Sequence, residues 1–156
     1  MAKLVIETEG RKPQLKKLLS AVYSVLKQKH NLKAELVFMP KEEMQELNNR
    51  TRGKNVVTDV LSYPSLDNIR GKILQPKNCV DEIDGKYIFI GSIVVCEDKI
   101  KQQAKELGHS FTKERNYLIV HGLMHLFGYD HENEKDKKQM RTKEKAVFAL
   151  LKKGDK

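Results

Sequence analysis

The sequence predicts an α+β fold in a single domain spanning residues 1–156, with a mixed four-stranded sheet packed with about five helices. Three observations lead there. Four short runs rich in β-branched and large apolar residues lie at residues 4–6, 35–39, 56–62 and 87–95. Segments with apolar residues at three- and four-residue intervals lie between and after them. A chain of 156 residues that is 39% hydrophobic can bury around 70% of its unfolded surface in one core, and is too short for two well-cored domains.

Each element has a local reason. Residues 4–6 form a first strand; Leu15, Leu18, Leu19, Val22, Val25 and Leu26 then make the apolar stripe of an amphipathic helix behind Pro13. Residues 35–39 form a second strand, ended by Pro40, and residues 41–49 a second helix with acids in its first turn, where the helix dipole favours them. Residues 56–62 give a third strand. Between Pro64 and Gly85 the chain holds Asp67-Asn68, Gly71, Pro76, Asn78 and Asp84-Gly85, all turn chemistry, and this predicts a long excursion of the kind that often carries function. Residues 87–95 form a fourth strand, followed by a helix over 97–107. Ser110 is placed to cap the next helix, with Glu114 in its first turn. Leu118, Ile119, Leu123, Leu126 and Phe127 make that helix largely apolar, so it belongs in the core. A closing helix, about 132–152, is charged outside and apolar at Met140, Val147, Leu150 and Leu151. The chain contains no internal repeat.

Lys and Arg total 30 against 21 Asp and Glu, a formal charge of +9, which favours a polyanionic partner. The excess is uneven: Arg11, Lys12, Lys16, Lys17, Lys27, Lys29 and Lys33 lie in a stretch without an acid, able to track a phosphate backbone. The plainer alternative is a solvated helix face. Cys79 and Cys96 form no C-x-x-C pair, so neither a disulfide framework nor a cysteine zinc site is implied. The first residues reach Glu7 after only three large apolar side chains, which does not make a signal-peptide core, and no run approaches a membrane span. A cytoplasmic location without a membrane partner is expected.

The most informative run is His121-Gly122-Leu123-Met124-His125-Leu126-Phe127-Gly128-Tyr129-Asp130-His131. Two histidines four apart on a helix differ by about 40° in direction and about 6 Å in rise, so both rings reach one ion. Gly128 can take the left-handed conformation that ends a helix, and Tyr129-Asp130 then brings His131 back toward the same point. Three neutral nitrogens suit Zn2+, or another divalent transition metal, and leave a position for water as hydrolytic zinc sites do. The spacing reproduces that of the metzincin peptidases, H-E-x-x-H-x-x-G-x-x-H, so the site is zincin-like and sits on a central helix; but Gly122 stands where the general-base glutamate belongs. Without that carboxylate, worth roughly two to four orders of magnitude, peptide hydrolysis is disfavoured. The bland alternative, satisfied core histidines, has to explain three of five histidines at ligand spacing within eleven residues.

HGLMHLFGYDH resembles the signature HGxLHLxGYDH of the YbeY family of bacterial endoribonucleases, with Met124 in place of a leucine. The stretch from Leu47 to Pro64, LNNRTRGKNVVTDVLSYP, is similar to that family's LNxxYRxxDxPTDVLSFP, and Gly91-Ser92-Ile93-Val94-Val95 looks like its GDIVI strand. The departures are Thr51 for an aromatic, Asn55 for an aspartate, Val57 for a proline and Ser92 for an aspartate. The resemblance implies a metal-dependent, single-strand-acting endoribonuclease that matures the 3′ end of small-subunit (16S) ribosomal RNA, with the ribosomal subunit as partner and a part in ribosome quality control. It implies His121, His125 and His131 as metal ligands, His121 also counting as catalytic, and gives Arg52 the position of a functionally important arginine, a planar guanidinium able to hold two oxygens of an RNA phosphate. Lys54 is its RNA-binding neighbour. Asp130 is read as holding a histidine ring by a hydrogen bond from behind, or capping the turn after Gly128. Tyr129 is read as packing in preference to stacking on a base. Two other classes stay open: a zinc metallopeptidase-like hydrolase, and a non-catalytic ribosome-assembly factor with a structural ion. Oligomeric state is not encoded in any of these spacings.

Overall fold

In the computed structural model, which describes residues 1–10 and 13–154, the chain alternates strands and helices for its first half and ends in helices. Arg11 and Lys12 of the basic stretch lie outside the described residues. The elements are β1 (Leu4–Glu7), α1 (Lys16–Val25), β2 (Leu32–Met39), α2 (Lys41–Arg52), β3 (Val60–Pro64), β4 (Ile83–Asp84), β5 (Tyr87–Cys96), α3 (Glu97–Leu107), α4 (Phe111–Leu126) and α5 (Glu134–Gly154).

The sheet is mixed, as expected. Its order is β1-β2-β5-β3, with β1, β2 and β5 parallel and β3 antiparallel to β5. A fifth strand, β4, adds two residues in a hairpin on β5 from within the stretch expected to be all excursion. The third strand lies later than residues 56–62, because the chain before it is tied to α2: Gln45 Nε2 donates to the Asn55 carbonyl at 3.2 Å and Asn48 Nδ2 to the Val56 carbonyl at 3.0 Å. The second strand starts earlier than expected, at Leu32. The last helix starts two residues late, where the Asn133 side chain accepts the Asp136 N–H at 2.9 Å and so acts as N-cap.

Strand β5 changes face within its length. Lys33 pairs with Phe89 but Ala34 pairs with Gly91, so Ile90 is an extra residue, a β-bulge. Gly91 has φ +134, and a Cβ there would run into the Tyr63 carbonyl oxygen, so no other residue fits. The bulge puts Ile88, Ile90, Ile93 and Val95 in one core with β2 and helices α1, α4 and α5. Val94 and Cys96 face the other way, into a smaller cluster with Met44 of α2. Within the larger core Val22, Leu36, Ile93, Ile119 and Leu123 are fully buried. Among the described residues no helix is long and apolar enough to cross a membrane.

The basic stretch is not one free face. Lys33 is paired with Glu7 at 2.9 Å and with Asp84. Lys16 and Lys17 sit at the start of α1, while Lys27 and Lys29 follow its end.

Candidate metal centre

Helix α4 begins as its sequence requires, with the Ser110 hydroxyl accepting the Lys113 N–H at 3.1 Å. It ends on a Schellman turn. The Tyr129 N–H donates to the Met124 carbonyl and the Gly128 N–H to the His125 carbonyl, both at 3.0 Å, with Gly128 at φ +92. That turn swings His131 over the face of α4 that carries His121 and His125. One ligand nitrogen from each histidine lies within 4.8 Å of the others, and the Nε2 atoms of His121 and His125 are 3.3 Å apart.

The His121–His125 pair fits a tetrahedral ion: two nitrogens bound at about 2.0–2.1 Å with tetrahedral angles stand roughly 3.4 Å apart, close to the 3.3 Å between these two Nε2 atoms. Burial, followed by the neighbouring His121 and His131, lowers the pKa of His125 to about 4, against a smaller raising effect of a hydrogen bond with the Tyr129 backbone. Its ring is therefore neutral at physiological pH, the state a ligand needs. His121 donates from Nδ1 to Glu144 Oε2 at 2.9 Å. The Glu144 carboxylate is buried, and this contact fixes the tautomer that turns the Nε2 lone pair toward the centre.

Glu144 takes the part expected of Asp130. The Asp130 carboxylate bonds to Arg70 Nη2 at 3.0 Å and accepts the Glu132 N–H at 3.4 Å, and it contacts no histidine ring. Of the two roles considered, it has the turn. Arg70, from the excursion after β3, also donates to the Gly128 carbonyl at 2.9 Å and to Asp136 at 2.8 Å, tying the loop that carries His131 to the start of α5. Sequence reasoning missed both Glu144 and Arg70. For Glu144 a signal existed: it is an acid on the stripe Met140, Val147 and Leu151, at helical spacing from each. For Arg70 there was none, because its partners lie at least 58 residues away.

Gly122 faces the sheet instead of the histidines. A Cβ there would lie 2.9 Å from Ile93 Cγ2, so the helix approaches β5 too closely for the glutamate of a peptidase at this position. Because Ile93 faces α4, its neighbour Ser92 faces away, where its hydroxyl donates to Glu35 at 3.1 Å. The missing aspartate at Ser92 therefore leaves the centre untouched.

The three histidines form one wall of an open cleft of about 860 Å³, and Arg52, Lys54 and Asp59 line it with them. Arg52 donates from Nη2 to the Ser62 carbonyl at 2.6 Å and lies over the Tyr63 ring, 5.3 Å from its centre. Among the described residues its remaining donors have no protein acceptor. Tyr129 is buried and packs in the core, as expected. His109 is held by the buried Glu114 at 2.7 Å, and His30 lies outside the cleft.

The family model described as Endoribonuclease YbeY matches residues 2–152. The chain is 36% identical over 149 residues to the Endoribonuclease YbeY of Clostridium perfringens (strain SM101 / Type A), covering 92% of this chain and 89% of that one. To the Endoribonuclease YbeY of Clostridium botulinum (strain Alaska E43 / Type E3) it is 40% identical over 121 residues, 74% of this chain and 73% of that one. Its fold is similar to the solution structure of TM1509 from Thermotoga maritima, with a TM-score of 0.56 at 22% identity over 96% of this chain and 93% of that one. With a match over nearly its whole length and the histidine signature folded into one centre, the chain belongs to the YbeY endoribonuclease family.

Proposed function

We propose that this protein is a zinc-dependent endoribonuclease of the cytoplasm that cuts single-stranded RNA in maturing the 3′ end of small-subunit ribosomal RNA, and that it serves ribosome quality control. The observation that carries the reading is the convergence of His121, His125 and His131 on one point in a cleft shared with Arg52. His121, His125 and His131 would hold a divalent ion, which when bound would supply an acidified water and a Lewis acid for a phosphoryl oxygen. The protein's own residues do the rest. Glu144 orients His121, Arg70 holds the loop of His131, and the free edge of the Arg52 guanidinium takes two phosphate oxygens as negative charge builds on them. The Ser62 carbonyl and the Tyr63 ring pre-set the plane of that guanidinium, which lowers the entropy cost of the contact. Lys54 steers a neighbouring phosphate as a point charge.

The test is RNA cleavage by wild type, His121→Ala and Arg52→Ala, with bound metal measured on each. His121→Ala is expected to lose ion and activity together. Arg52→Ala keeps the ion while activity falls by about two to three orders of magnitude. Wild-type rates in Arg52→Ala would remove the phosphate role. Cleavage that persists in His121→Ala would point to a contaminating nuclease and against this reading. The peptidase alternative loses ground at Gly122, where Ile93 leaves no room for a carboxylate.

A further inference from the structure

We propose that Tyr117 is a stacking platform for a nucleobase beside the scissile phosphate, an inference that rests on the RNA-cleaving reading above. Of the five tyrosines and five phenylalanines, Tyr117 alone is exposed, at 45%. It lies one helical turn before His121 on α4, and the two rings are stacked with centres 6.1 Å apart and planes inclined by 23°. The exposed aromatic thus adjoins a candidate metal ligand.

Its ring borders the cleft through His121, against which it stacks and which lines the cleft. The other aromatics near the centre are unavailable: Tyr129 and Phe127 are buried, and the guanidinium of Arg52 covers Tyr63.

An exposed ring on a helix next to the candidate centre suits one part of an RNA strand, an unpaired base. Every base has an apolar π-face, so stacking holds it without reading its identity. Bases in a duplex are already stacked on their neighbours and cannot take up the ring. Tyr117 would therefore favour single strands, and would fix the strand so that the next phosphate lies at the histidines. A plainer role is that the ring only shields His121 from solvent.

The experiment uses metal-loaded protein and a short single-stranded RNA, together with copies of that RNA carrying one abasic site at successive positions. Tyr117→Leu, which keeps an apolar side chain, is expected to raise KM about tenfold with kcat and metal content little changed, and Tyr117→Phe restores KM. In wild type an abasic site at one position next to the cut raises KM by a similar factor, and combining it with Tyr117→Leu adds nothing further. Wild-type KM in Tyr117→Leu, or an abasic penalty that survives unchanged in that variant, overturns the stacking role while leaving RNA cleavage standing. Loss of metal from Tyr117→Leu with unchanged KM overturns it in favour of shielding. If metal-loaded wild type cuts no RNA, the reading of the whole site falls, and this role with it.

Discussion

A buried carboxylate, that of Glu144, stands behind His121. Glu144 accepts the Nδ1 proton and raises the basicity of the opposite nitrogen. Glu144→Gln keeps the shape and the hydrogen bond but removes the charge, so it is expected to lower zinc affinity about 10- to 100-fold with the far-ultraviolet circular dichroism unchanged. Competition against a chromogenic chelator reads that change, and an unaltered affinity would mean the carboxylate only packs. Two departures from the family pattern, Thr51 and Asn55, have partners visible at this scale. Thr51 stands where an aromatic is usual, and its hydroxyl meets that of Tyr63 at 2.8 Å. Asn55 is held by Gln45 through both its carbonyl and its side chain. The histidine triad was legible residue by residue, because helix pitch and one glycine turn set its geometry. Asp130 was legible only as a polar residue beside His131, and its actual partner, Arg70, lies 60 positions away.

Among the elements, the approach of α4 to β5 decides what the site can be. The contact is made at Gly122, against the β-branched Ile93, whose side chain has few alternative rotamers. Gly122→Ala gains about 1 kcal/mol of helix propensity and meets an overpacking cost of about 1–3 kcal/mol. The net expectation is a loss of about 1 kcal/mol, seen as a lower urea midpoint with an unchanged slope; a midpoint that rises would show that the interface yields easily. Strand and helix identities were readable from periodicity because burial on one face imposes it. Strand boundaries were less so: the run from Val56 looks like strand by composition, yet side chains of α2 take the backbone carbonyls that a ladder would have used. The bulge at Ile90 was invisible for a similar reason. Gly91 signals a close approach, but only the position of β3 shows what approaches.

For the whole molecule, the charge of +9 and a cleft that opens to solvent beside Arg52 and Lys54 predict an affinity for RNA that depends on ionic strength. Log affinity is expected to fall linearly with log salt, by about 0.7 for each phosphate contacted on a single strand, and Arg52→Ala should make the slope shallower by about that amount. Fluorescence anisotropy of a labelled single-stranded RNA across a salt series measures it, and an affinity indifferent to salt would contradict the electrostatic account. The basic stretch from Arg11 to Lys33 read as one tract in the sequence, whereas its last member, Lys33, is taken up in pairs with Glu7 and Asp84. What the amino-acid order determined by itself was the set of helices and main strands and the three converging histidines, because these depend on interactions within a few residues along the chain. Tertiary structure alone decided that Glu144 stands behind His121, that Arg70 holds the His131 loop, and that Gly122 faces the sheet. Those relations join segments up to 66 residues apart, and only packing brings such segments into contact.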